Sequence, residues 1–189
     1  MNAPASIPVL QRAKLRAADF HLLDRAGAFD GYSKAELIEG EIWVLNAVHV
    51  WHSKAMSRFH LALARALAES GSPLQLYLPV AVDLTDDSVP EPDIAVGEDH
   101  DNGPLPFAKT RIAIEISDTT LNHDLGRKAR MYARAGVPEY WVVAREGARV
   151  VQHWLPGPDG YADRRDVPFG ERLVSATLPS LSVETAPLA

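Results

Sequence analysis

Two carboxylates in this chain stand on stretches that read as buried strands. Asp93 lies in Val89-Pro-Glu-Pro-Asp-Ile-Ala-Val96, and Glu115 in Arg111-Ile-Ala-Ile-Glu-Ile-Ser117. Period-two alternation puts Ile112, Ile114 and Ile116 on one face and Ala113, Glu115 and Ser117 on the other. It likewise sets Ile94 and Val96 opposite Asp93 and Ala95. Burying an ionised carboxylate is costly unless something pairs with it. A lone acid is satisfied by a surface cation or a strand-end position. Two acids in the same local pattern suit a shared hard cation such as Mg²⁺ or Mn²⁺, which takes one or two carboxylates plus carbonyl and water oxygens.

A third residue joins them one short loop later. Leu121, Leu125, Lys128 and Tyr132 share one face of a predicted helix, so Lys128 interrupts an apolar stripe. A lysine there either snorkels to the rim or points at something anionic. Two carboxylates holding a divalent ion can activate a water, while an ammonium offsets charge on a phosphodiester. Asp93, Glu115 and Lys128 should therefore converge on one cleft.

The elements that must position these residues follow from periodicity and punctuation. A helix is predicted from Arg12 to about Ala26, stopped by Gly27, and a hairpin over Ala35–Leu45 turning at Gly40. The longest helix runs from about Val48 to Glu69, with His52, Met56, Phe59, Leu63 and Leu67 in one stripe. Strand material follows at 74–78 and 80–84, then the strand around Asp93, an exposed connection over 98–109, and the strand 111–117. The Lys128 helix spans 121–135 and stops at Gly136-Val-Pro138; strands at 139–144 and 149–154 flank a turn. Beyond the turn cluster at 156–160 only short, weak strand candidates such as 172–174 are visible. The fold class is mixed α/β, with a mobile tail at 1–10 and a single domain over 11–189.

Read in order, Glu36-Leu-Ile-Glu-Gly-Glu41, Pro92-Asp93, Glu115-Ile-Ser117, Asp124-Leu-Gly-Arg-Lys128, Tyr132-Ala-Arg-Ala-Gly-Val137 and Glu139-Tyr-Trp141 resemble the Uma-two family of restriction-endonuclease-like proteins. The wider likeness is to the PD-(D/E)XK nuclease superfamily, in the variant whose lysine has moved from the strand to the next helix. The resemblance covers about Leu22 to Leu181. It implies a restriction-endonuclease-like core, a central mixed β-sheet flanked by helices. It also implies Asp93, Glu115 and the backbone carbonyl of Ile116 as metal ligands, Lys128 as the catalytic cation, and Mg²⁺ (or Mn²⁺) as cofactor. One departure is Ser117-Asp-Thr-Thr120, where the family has a serine-proline pair.

Other residues are weighed against this frame. Glu39 or Glu41 is a candidate accessory acid, and a solvated hairpin is the alternative. His52 either faces the same cleft or is an ordinary hydrogen-bonded histidine. Arg127 and Arg130 offer the Lys128 helix a basic flank for nucleic acid, and Asp124 is spaced to pair with Lys128. His49, His52 and His60 lack a fourth ligand type for zinc.

Composition bounds the reading. With 189 residues, 47% hydrophobic and 23% charged, the chain can bury a core. A net charge of −6 argues against a protein that coats nucleic acid nonspecifically, yet acids gathered at a metal site inflate that count. Without cysteine or a membrane-length apolar run, a cytoplasmic location is expected. The expected activity is Mg²⁺-dependent hydrolysis of phosphodiester bonds in DNA, by a homodimer whose two sites cut two strands. The alternative is a catalytically silent nuclease-fold module that binds nucleic acid or regulates.

Overall fold

The computed structural model describes residues 12–47 and 49–188. The tail expected at 1–10 lies outside them. The first helix, α1 (Ala17–Arg25), starts later than its periodicity suggests. Leu15 N–H and Ala17 N–H pair instead with Gly40 and Asp86 carbonyls, and Asp19 takes the Arg16 N–H, so the segment before Ala17 is tied down in extended form. The hairpin β1 (Lys34–Ile38) and β2 (Glu41–Leu45) closes through Glu39 and Gly40, both at positive φ, the two-residue turn whose twist matches its strands.

The long helix α2 (Val50–Ser70) ends at Gly71 in the left-handed conformation. It buries Phe59 and Leu63 against one face of the main sheet. That sheet is built from β3 (Gln75–Tyr77), β5 (Ile94–Gly97), β7 (Thr110–Ser117), β8 (Glu139–Ala144), β9 (Arg149–Gly157) and β10 (Gly160–Pro168), in spatial order β10-β9-β8-β7-β5-β3. Within this sheet, among the described residues, β7 and β8 run parallel and every other neighbouring pair is antiparallel. The predicted strand at 80–84 shrinks to β4 (Val82–Asp83), which pairs with β6 (Leu105–Pro106) inside the presumed connection. Near the end, β11 (Arg172–Val174) pairs with β12 (Ser182–Glu184).

Alternation along β7 decides which layer each side chain meets. Ile112, Ile114 and Ile116 join the α2 layer, while Ala113 faces the second helical layer. That layer is one helical run: α3 (Leu121–His123), a π-helical turn (Asp124–Lys128) and α4 (Ala129–Ala135), stopped by Gly136 at φ 85°. The expected uninterrupted α-helix is thus widened by a π turn ending at Lys128. Such turns concentrate at functional positions. Asp93 also departs from its reading. It sits one residue before β5 rather than within a strand, because Pro90 and Pro92 have no N–H for a ladder. Among the described residues no helix is long and apolar enough to cross a membrane.

Candidate active site

The hairpin, β5, β7 and the π turn bring five charged side chains to one place. Lys128 Nζ donates to Glu115 Oε1 and to Glu36 Oε1, each at 2.9 Å. Glu36 also takes the Glu91 N–H at 2.8 Å. Lys34 Nζ lies 3.3 Å from Asp93 Oδ1, 3.7 Å from Glu115 Oε2 and 4.0 Å from Glu36 Oε1. Asp93 Oδ2 accepts the Ile116 N–H at 2.7 Å and lies 3.0 Å from His52 Nε2. Asp93, Glu115 and Lys128 therefore converge, and all five charged groups line one cavity of about 450 Å³.

Electrostatics follow from three carboxylates sharing two ammoniums in a buried space. Burial alone would raise the Asp93 carboxyl. The Lys34 ammonium, His52 and the Ile116 N–H overcome that and hold it well below the usual carboxylate range. Glu36 is likewise lowered against its burial, chiefly by Lys128 and Lys34. The excess negative charge falls on Glu115, which burial, with Asp93 and Glu36 nearby, pushes up to about 8. Both lysines are held above their ordinary value, since their acids outweigh a desolvation that would lower them.

The donor set suits a hard divalent ion. Asp93 Oδ2 and Glu115 Oε1 are taken by protein donors, whereas Asp93 Oδ1 and Glu115 Oε2 turn toward one common cation, Lys34. Among the described residues no three acidic or histidine side chains form a closed ion cage. A Mg²⁺-type ion keeps several waters and needs only one or two carboxylates, so the pair suffices.

Several expectations land elsewhere. Glu39 and Glu41 do not reach the cluster; both pair with Arg127, at 2.9 and 2.8 Å. The early acid that does reach it is Glu36. Arg127 is further occupied by stacking on Trp43, and neither Arg127 nor the exposed Arg130 lines the cavity. Asp124 accepts from Thr120 Oγ1 at 2.6 Å, so it leaves Lys128 to Glu36 and Glu115. Ile116 contributes its N–H to Asp93. The unusual Ser117–Thr120 segment forms part of the cavity wall, with Asp118 holding Arg145 at 2.9 Å and His49 at 3.3 Å. Lys34 was missed. Its signal is the period-two spacing to Glu36, which puts both on one face of β1.

Residues 17–187 match the family model Uma2, described as "Putative restriction endonuclease". The chain belongs to the Uma2 family. A solved structure described as a putative nuclease belonging to DUF820, from Anabaena variabilis, superposes with a TM-score of 0.60. The two are 16% identical, and the match covers 82% of this chain and 88% of the other. At that identity the likeness establishes the fold: a mixed α/β core whose central mixed sheet is flanked by helices, as in that nuclease-fold neighbour. No curated protein matches this Uma2 chain.

Proposed function

We propose that this Uma2 protein is a Mg²⁺- or Mn²⁺-dependent endonuclease that hydrolyses phosphodiester bonds in DNA as a homodimer. The observation that carries this reading is the division of labour between carboxylate oxygens. Asp93 and Glu115 each present one oxygen to a common cation position and have the other fixed by the protein. Asp93, Glu115 and the Ile116 carbonyl would hold the ion. When bound, the ion polarises the scissile phosphate and acidifies a water.

The chain's own residues do the remaining work. Lys128, buried and held charged by Glu36 and Glu115, sets a permanent positive charge beside the reacting phosphate. Glu36 fixes that ammonium and is itself fixed by the Glu91 N–H. His52 and the Ile116 N–H hold the Asp93 rotamer, so the ligand geometry exists before substrate arrives. Family membership supports a DNA substrate, and two sites per dimer suit scission of both strands.

A second reading, a silent nuclease-fold module, is favoured by one observation: Arg127, the expected phosphate contact, is consumed by Glu39 and Glu41. Plasmid nicking with Mg²⁺ or Mn²⁺, run beside Asp93→Ala and Lys128→Ala, separates the two. Nicking by the parent alone is expected. Equal nicking by all three proteins would reveal contamination, and binding without nicking would favour the module.

A further inference from the structure

The cation position between Asp93 and Glu115 already holds a charge of this chain's own. Lys34 Nζ faces the two oxygens that no other donor among the described residues takes, Asp93 Oδ1 and Glu115 Oε2. Its grip is loose, at 3.3, 3.7 and 4.0 Å from three carboxylates. A charge-assisted hydrogen bond is shorter, about 2.8 Å. Lys128, with two contacts at 2.9 Å, is locked by comparison.

We propose that Lys34 is the exchangeable cation of this site: its ammonium fills the divalent-ion position until an ion binds, then moves into the cavity. The identity of the ion rests on the nuclease reading above; the position rests on the contacts of Lys34. Charge balance requires an exchange rather than an addition. An ion's carboxylate ligands must be deprotonated, and once Glu115 joins Glu36 and Asp93 as a carboxylate facing Lys34 and Lys128, the acids exceed the ammoniums by one. A divalent ion in place of Lys34 brings the positive charge level with the three carboxylates. An ion added beside both lysines would leave uncompensated positive charge in a buried space, which is costly.

The exchange needs no backbone movement. Lys34 opens β1, its side chain is 13% exposed, and it lines the cavity itself. Its flexible four-carbon stem can swing the ammonium from the carboxylates toward the cavity. The displaced ammonium then lies where a substrate phosphate enters, so loading the ion also supplies a second cation to the substrate.

Calorimetric titration of Mn²⁺ into the wild type, Lys34→Met and Lys34→Arg, with thermal unfolding of each, tests the exchange. Lys34→Met removes the competitor and should bind Mn²⁺ about tenfold more tightly. Without Mn²⁺ it should melt below the wild type, and Mn²⁺ should raise its melting temperature by more. Lys34→Arg retains a competing cation and should keep the wild-type affinity. Should Lys34→Met not fold without the ion, Lys34→Gln is titrated in its place with the same expectation. Unchanged or weaker Mn²⁺ binding in the neutral variant would overturn the exchange. Failure of the wild type to nick DNA while the tenfold difference holds would sink only the nuclease reading.

Discussion

Glu115 on β7 and Glu139 on β8 are buried acids on adjacent parallel strands, and they are satisfied in opposite ways. Glu139 is 0% exposed and accepts from the Trp141 indole, the Gln152 amide, the Ser175 hydroxyl, the Ala176 N–H, and both the Thr177 N–H and hydroxyl. These donors are neutral and fixed, and they overcome burial to hold the Glu139 carboxyl below its ordinary range. Glu115 relies on ammoniums at a cavity wall and is raised instead. A carboxylate sealed by dipoles staples the β11–β12 segment to the sheet. One held by ammoniums beside a cavity keeps an oxygen in only loose contact, Glu115 Oε2 at 3.7 Å from Lys34.

Mutations should separate these roles cleanly. Glu115→Gln should cut metal-dependent nicking by about 10²-fold or more. Its circular dichroism should stay native, because the substitution keeps the shape and relieves crowding among acids. Loss of the fold together with activity would erase the contrast. Glu139→Ala should do the reverse, costing roughly 4 kcal/mol in urea unfolding because it strands several buried donors. Its folded fraction should keep the wild-type affinity for Mn²⁺, and a weakened affinity would show that the two acids are coupled.

The opposite face of the sheet, which Glu115 shares with Tyr132 and Tyr140, carries part of the acid sensitivity. His153 on β9 is buried against Tyr140 and Tyr161, and burial lowers it from 6.5 to about 4. The unfolded chain therefore takes up a proton that the folded one refuses. This stability is complete above about pH 6.5 and is lost as pH falls toward 4, by about 2 kcal/mol allowing for partial exposure. Urea unfolding of His153→Phe should lack that part of the slope. A parallel slope in wild type and variant would place the sensitivity elsewhere. The smallest effect belongs to Ser175→Ala, which removes one of the six donors to Glu139 and should cost about 1 kcal/mol. A loss as large as that of Glu139→Ala would mean that one hydroxyl, not the set, holds the staple.

Much of this was legible in the chain itself. The hairpin at Gly40, the long helix ending at Gly71, and strands 111–117 and 139–144 follow from local periodicity and glycine stops. The structure keeps them with small changes of boundary. Strand β10 was not legible. Its Ala-Asp-Arg-Arg-Asp run is exposed and has no alternating apolar face, so only pairing with β9 makes it a strand. The tail and the single-domain span remain expectations from sequence.

The same division holds at the site. Asp93, Glu115 and Lys128 were visible because each breaks an apolar pattern, and a local pattern is something a sequence can display. Lys34, Glu36 and the staple at Glu139 were invisible as partners. Lys34 and Glu36 come from a hairpin 57 or more residues upstream of Asp93, and Ser175 and Thr177 lie far downstream of β8. Spacing along a chain carries no sign of which distant charges fold together. The sequence by itself determined which carboxylates must be compensated. Only the tertiary structure decided by what: the ammoniums of Lys34 and Lys128 at Asp93 and Glu115, and neutral donors at Glu139.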